Sequence, residues 1–245
     1  MKRRNFLRSG LAGAAGLAVL NRTAIAGGRN AGNDEIIYRT LGRTGLKIPV
    51  VSFGVMRSDN SSLVKAAYDG GMKMFDTAHG YMNGRNEEML GNFFSSVPRD
   101  SFILATKVKP AGVDSRTGLP SKETTAADFL AKFELSLQRL KMDYVDILYM
   151  HAVDSVEMVR HKEIVNAMLD LKKKGRARFI GISTHKNEPL VINTMAEDGI
   201  WDVVLTSYNF KQTYLSDMDS ALDAAGKAGI GVVADEFFLL RVHRN

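Results

Sequence analysis

Asp76, Tyr81, Lys107 and His151 are residue types that together can deliver a proton to a carbonyl oxygen. Two of them share the segment Phe75-Asp76-Thr77-Ala78-His79-Gly80-Tyr81. Lys107 closes the run Leu104-Ala105-Thr106-Lys107, and His151 follows Asp146-Ile147-Leu148-Tyr149-Met150. A phenol is a poor acid near neutrality, with an ordinary pKa of about 10. A neighbouring ammonium favours the phenolate and lowers that value. Lys107 is the candidate ammonium; buried, it needs a counter-charge, which Asp76 can provide. His151 can donate a hydrogen bond to a substrate oxygen. A carbonyl held by Tyr81 and His151 would be polarised for hydride attack, with Tyr81 protonating the developing alkoxide.

Taken singly, each residue has an ordinary role: a turn cap, a loop aromatic, a surface lysine, a satisfied histidine. Their order, three at the ends of apolar runs and Tyr81 in the loop after the first, singles them out as a set. His79, His161, His185 and His243 show no metal-ligand spacing, so no metal site is expected. His79 is expected to shape the pocket without catalysing. Met72 and Met74 read as packing residues.

These groups need elements that bring run ends together. Apolar runs at 50–55, 72–77, 102–108, 144–151, 177–183, 203–208 and 231–234 read as strands. Amphipathic stretches at 61–69, 86–95, 126–140, 156–174, 189–197 and 218–227 read as helices. Ala126, Phe129, Leu130, Phe133, Leu137 and Leu140 share one helical face, and Thr125 with Asp128 marks a cap. Such alternation predicts an α/β fold with a parallel sheet covered by helices. No Gly-x-Gly-x-x-Gly follows the first strand, which ends Phe53-Gly54-Val55-Met56, so an open dinucleotide fold lacks its phosphate turn. Polar groups at several strand ends suit a TIM-type (β/α)8 barrel. Parallel neighbours lie ~4.8 Å apart, so strand-end groups can converge on one pocket. The segment Tyr38-Arg39-Thr40-Leu41-Gly42-Arg43-Thr44-Gly45-Leu46 predicts a hairpin ahead of the barrel.

The chain has 245 residues, enough for one domain. Residues 1–26 read as a twin-arginine signal: Lys2-Arg3-Arg4, then an uncharged stretch of small and apolar residues, then Ala24-Ile25-Ala26. Residues 27–36 read as a flexible leader and 37–245 as the barrel domain. The predicted location is the periplasm, or outside the cell by twin-arginine export, with no stable membrane span once the signal is removed. Most of the net charge of +6 lies in the signal, leaving about +1 on the remainder. Nucleic-acid binding is therefore not expected. Absence of cysteine excludes disulfides and thiolate metal sites within this chain.

The motifs around Asp76 and Tyr81, with Asn86-Glu87-Glu88-Met89-Leu90-Gly91, Ala105-Thr106-Lys107, Asp146 to His151 and Gly175 to Ser183, resemble the aldo-keto reductase family over roughly residues 37–234. The resemblance implies a barrel enzyme that reduces a small aldehyde or ketone with a nicotinamide cofactor, usually NADPH, NADH not being excluded. It implies Tyr81 as general acid, Asp76 and Lys107 as its tuning pair and His151 as carbonyl orienter. It places Gly54, Val55, Met56, Asp76, Ser183, Thr184 and Tyr208 near the cofactor. It also makes a non-catalytic binding or regulatory protein, or a disabled fragment, the alternative.

Departures accompany the resemblance. Thr184 stands where the family commonly has asparagine, Leu205 where glutamine often precedes the sixth-strand tyrosine, and Asp235 where an aromatic often stacks. Only Asp235 to Asn245 follow Ala234, which predicts a barrel incomplete after its seventh strand and self-association through its open edges.

Overall fold

The computed structural model describes residues 36–56, 58–209 and 211–235. The predicted signal, nearly all of the leader and the tail beyond Asp235 lie outside the described residues.

Nine strands and seven α-helices are described. The chain opens with a hairpin, β1 (Tyr38–Thr40) and β2 (Lys47–Pro49), paired antiparallel. A parallel sheet follows, in chain order: β3 (Phe53–Gly54), β4 (Met74–Asp76), β5 (Ile103–Val108), β6 (Val145–Met150), β7 (Ala177–Thr184), β8 (Val203–Ser207) and β9 (Gly231–Asp235). The connections carry α1 (Ser61–Asp69), α2 (Arg85–Phe94), α3 (Ala126–Leu140), α4 (Val156–Val159), α5 (Lys162–Lys173), α6 (Glu188–Asp198) and α7 (Leu215–Lys227). This is the curled, helix-clad parallel sheet of a (β/α)8-type barrel, with β3 and β9 as its edges among the described residues.

Strand alternation divides the sheet into two faces. Phe75, Leu104, Leu148, Ile180, Ile182 and Val204 point outward and pack with the helices in the main core. Met74, Ala105, Ile147, Tyr149, Val203 and Leu205 point inward and form a second, smaller core. The hairpin plugs the bottom of this lumen. Its Leu41, Leu46 and Ile48 join the inner core, Arg43 N donates to Gly229 O at 2.7 Å, and the Arg43 guanidinium donates to Gly199 O and Trp201 O. A hairpin leading into β3 thus touches the β8 and β9 side, which a flat sheet would not permit.

Two expected elements are corrected. The first barrel strand, expected over 50–55, contracts to Phe53–Gly54. Val50 instead continues the hairpin ladder, its N–H reaching Ile37 O, and Val50 and Val51 are exposed. The helix expected over 156–174 is two helices. Ser155 caps α4, and His161 is extended ahead of α5. Arg160 at the break pairs with Glu197 and Asp198, both at 2.9 Å. By contrast α3 keeps its predicted bounds and its Thr125 cap, whose hydroxyl accepts from Asp128 N.

Helix α2 packs tightly on the end of α3 at Gly91. A Cβ there would lie 2.2 Å from Arg139 O and 2.8 Å from Leu140 O. Alanine in an open helix interior gains about 0.5–1 kcal/mol over glycine, but overpacking costs about 1–3 kcal/mol. Gly91→Ala is therefore expected to destabilise the protein by about 1–2 kcal/mol. Gly226→Ala in α7, where a Cβ meets nothing within 4 Å, is expected to stabilise it by about 0.5 kcal/mol. Urea denaturation of both variants checks the opposite signs; a shared sign would contradict the packing argument.

Candidate active site

The four candidate residues converge at the carboxyl ends of β4, β5 and β6. Register explains this. Asp76 pairs with Ala105, which pairs with Ile147, and Lys107 pairs with Tyr149 one pleat higher. Asp76, Lys107 and His151 thus follow the inward parity of Met74, Ala105 and Tyr149. The chain leaving β4 runs on beside β5, with Thr77 N bonded to Ala105 O and His79 N to Lys107 O, before a turn over Tyr81–Gly84.

Lys107 is 1% exposed. Its ammonium forms a close ion pair with Asp76 Oδ1, donates to Thr77 O at 2.9 Å and to the Tyr81 hydroxyl at 3.3 Å. The Tyr81 ring stands edge-on to the His151 ring, with centroids 5.8 Å apart. Tyr81, His151, His79, Lys109, Pro110 and Lys132 border a pocket of about 370 Å3.

Burial and charge compete at each group. Burial disfavours the Lys107 ammonium, but Asp76 and then Tyr81 more than offset this and hold its pKa above the ordinary lysine value. Burial pushes the Asp76 carboxyl up against the pull of Lys107. Burial likewise pushes the Tyr81 phenol up, against Lys107 and with help from Asp76. The expected lowering of the phenol by its lysine is thus corrected: desolvation of the phenolate outweighs the cation, whose charge Asp76 largely cancels. Tyr81 stays a protonated donor. Burial, then the Lys107, His185 and Lys109 charges, push His151 down to about 3, so its ring is neutral near pH 7.

Backbone conformation is unusual beside both aromatic groups. Met82 and Asn83, directly after Tyr81, have φ of 51° and 56°, and Ala152, directly after His151, has φ of 57°. Residues other than glycine seldom adopt this region, and they cluster at functional sites. The turn is buttressed by residues the sequence reading left without a role. Asn86 accepts from the Thr77 hydroxyl and donates to Val55 O and Ser58 O. Buried Glu87 accepts from the Thr106 hydroxyl and from Arg139, which also donates to His79 O. The motif flagged both positions; only their neighbours in space give them a purpose. Lys109 was missed for a similar reason: it becomes a pocket residue once its strand register is known.

The residues expected near a cofactor divide. Gly54 is exposed and pairs with Asp76 in register, with nothing within 4 Å of where a Cβ would stand. Val55 is buried in the outer core, and Met56 beside it is partly exposed. Ser183 follows the inward parity of its strand; buried, it accepts from Ala152 N at 3.1 Å and its hydroxyl donates to no partner among the described residues. Thr184 and Tyr208 do not join the group. The Thr184 hydroxyl donates to Lys186 O in its own loop, and the Tyr208 hydroxyl donates to Asp219 on α7 at 2.8 Å. Both lie on the outward parity of their strands. Leu205 faces the inner core. Asp235 continues the inward face of β9 and lies 3.6 Å from His185 Nδ1.

Gly54 is thus open on its Cβ side, whereas Ser183 is buried and Asp76 Oδ2 is a buried oxygen without a hydrogen-bond partner among the described residues.

Comparison with known proteins identifies the family and the fold. Residues 51–235 match the Aldo/keto reductase family. The chain is 32% identical to L-galactose dehydrogenase of Arabidopsis thaliana over 225 residues, covering 82% of this chain and 65% of that protein. The chain thus spans under two thirds of that relative's length. Its structure is similar to that of an aldo-keto reductase from Bacillus halodurans in its holo form, with a TM-score of 0.67, 24% identity, and coverage of 82% of this chain and 66% of that one. It is also similar to an aldo-keto reductase from Klebsiella pneumoniae in complex with NADPH, with a TM-score of 0.62, 22% identity, and coverage of 81% and 67%.

A depressed histidine has a consequence for stability. His151 titrates near 3 in the folded chain and near its ordinary 6.5 when unfolded. Between those values the unfolded state binds the extra proton, so folding stability falls as pH drops from 6.5 towards 3. The slope is about 1.4 kcal/mol per pH unit for one proton. His151→Leu is expected to remove that slope between pH 6 and 4.5. Chemical denaturation at several pH values measures it, and parallel curves for the two proteins would show that His151 is not held neutral.

Proposed function

Because the chain belongs to the aldo/keto reductase family, a family of NAD(P)H-dependent carbonyl oxidoreductases, we propose that it reduces an aldehyde or ketone with NADPH, using Tyr81 as the proton donor. The carrying observation is the Lys107 ammonium, buried and bonded at once to Asp76 and to the Tyr81 hydroxyl. Tyr81 and His151 converge on one pocket, so a carbonyl oxygen placed there can accept from both. His151, neutral at pH 7, donates without adding charge. As negative charge grows on the substrate oxygen, Tyr81 transfers its proton there. Lys107 stabilises the phenolate left behind, and Asp76 keeps the lysine charged. A correctly placed acid of this kind contributes about 10²–10⁴-fold in rate.

When bound, the nicotinamide supplies the hydride. The open face of Gly54 with the backbone of Val55 and Met56, Asp76, and the Ser183 hydroxyl are the groups to hold its ring. Thr184 and Tyr208 are engaged elsewhere, so a cofactor amide would rely on Ser183. This economy supports weak cofactor affinity and keeps a binding or regulatory role as the second reading. Export by the twin-arginine route, which carries folded proteins, would let a cofactor cross already bound. Among the described residues no helix is long and apolar enough to cross a membrane.

Fluorescence titration with NADPH, followed by turnover of 4-nitrobenzaldehyde, tests the proposal. The chain is expected to bind and to reduce. Tyr81→Phe is expected to lose at least about 100-fold in kcat while its NADPH affinity stays within about twofold, because the hydroxyl acts on the substrate side. Binding without turnover in the unaltered chain would favour the regulatory reading. Equal activity in Tyr81→Phe would remove the phenol from the mechanism.

A further inference from the structure

Lys109 stands one pleat above Lys107 on the strand line of β5. Two residues of extended chain advance about 7 Å, and residues two apart face the same way. Pro110 behind it disfavours a helical turn, keeping Lys109 extended. The sheet register fixes its neighbour. Lys107 lies opposite Tyr149 and Val108 opposite Met150, so the next rung sets Lys109 beside His151, whose N–H bonds Val108 O. Lys109 therefore overlooks the pocket from the wall that carries the carbonyl-orienting histidine.

Its charge has no ion-pair partner among the described residues. The pocket border holds two lysines, Lys109 and Lys132, and no carboxylate. Lys132 is neutralised by Asp128 at 2.7 Å and donates to the Lys109 carbonyl. The Lys109 side chain is exposed and has no hydrogen-bond or ion-pair partner among the described residues. Asp154, on the loop after β6, feels Lys186 more strongly than Lys109 and does not border the pocket. Behind the pocket, the Lys107 charge is matched by Asp76. Lys109 is thus a cation at the mouth with no ion-pair partner among the described residues and only the weaker pull of Asp154.

We propose that the pocket selects a carbonyl compound bearing an anionic group, a carboxylate or a phosphate, which pairs with Lys109 while the carbonyl oxygen lies between Tyr81 and His151. The proposal rests on the reductase reading for the position of the carbonyl, but the anion site is separable from turnover. A short or flat spacer links the two ends, because His151 and Lys109 occupy adjacent strands about 4.8 Å apart.

Ligand-observed NMR titration of the full chain with three aldehydes tests the idea. Methyl 4-formylbenzoate is neutral, 4-formylbenzoate carries a carboxylate, and 4-formylphenyl phosphate carries a phosphate. At low salt, one or both anions are expected to bind about fivefold more tightly than the ester, the upper range for an exposed ion pair. The preference should shrink in 0.3 M NaCl. Which anion wins identifies the group selected. Lys109→Met should bring the anion-to-ester ratio to about one, and Lys109→Glu should invert it. Turnover with NADPH is read in parallel. Anion preference without turnover would support the site and sink the reductase reading. Turnover with equal affinity for all three aldehydes, or a ratio untouched in Lys109→Met, would overturn the anion site and leave the reductase reading standing.

Discussion

A lysine ammonium with 1% exposure organises this rim. Left alone, a buried charge costs several kcal/mol, and the surroundings of Lys107 are arranged to prevent that. Asp76 supplies the counter-charge, Thr77 a carbonyl and Tyr81 a hydroxyl. Each of these constrains a different segment. Asp76 fixes the end of β4, Thr77 O fixes the first step of the following loop, and the Tyr81 hydroxyl fixes where that loop returns. The same bonds decide protonation. Charge wins over burial at Lys107, which keeps its proton, and burial wins over charge at Tyr81, which keeps its proton too. Both outcomes leave the site loaded to donate. Negative charge growing on a nearby oxygen is what would release the proton.

Holding the loop in that position requires support from behind. Three residues other than glycine adopt left-handed backbone beside the two aromatic groups, a conformation that persists only where surroundings over-determine it. Arg139 supplies part of this restraint. It bonds His79 O and Glu87, and it packs against Gly84, where a Cβ would come within 2.3 Å of the guanidinium carbon. Asn86 ties the same loop to the segment after β3. The polar start of α2 therefore acts as a bracket between two strand exits, which is why Asn86 and Glu87 are fully buried despite their polarity.

Much of this was legible in the residues. Alternation of apolar runs and amphipathic stretches gave the parallel sheet, and α3 carried both its periodicity and its cap. Asp76, Lys107 and His151 were recognisable because each ends an apolar run, and Tyr81 because it follows Asp76 in the next loop. Parity of single residues was harder to read. Thr184 and Tyr208 sit at the right strand ends, but each is one residue out of phase with the inward series Phe179, Gly181, Ser183 and Val203, Leu205, Ser207. Apolar residues fill both faces of this sheet, so composition alone does not reveal which parity is the lumen. The break between α4 and α5 was hidden for another reason. Arg160 and His161 are compatible with helix, and only the pairing of Arg160 with acids at the end of α6 reveals the turn.

Parity also makes the two sides of the rim chemically unlike. On the β4 to β6 side, inward positions carry Asp76, Lys107 and His151, bound to one another or open to the pocket. On the β7 to β9 side they carry Ser183, His185, Ser207 and Asp235. There the polar groups largely satisfy themselves: His185 Nδ1 and the Ser207 hydroxyl are 2.9 Å apart, and that hydroxyl lies 3.5 Å from Asp235. A ligand amide arriving on this side must compete with those bonds, since a new hydrogen bond that only replaces an old one gains little. Ser183, whose oxygen accepts from a backbone N–H but whose proton is uncommitted, is the exception. On the proposed reading, a cofactor amide on that side would find one uncommitted donor in Ser183, itself buried, whereas the proposed proton donor on the other side is already bonded to its lysine. In the reductase proposed above, the acid would be preorganised more completely than the cradle for its cofactor.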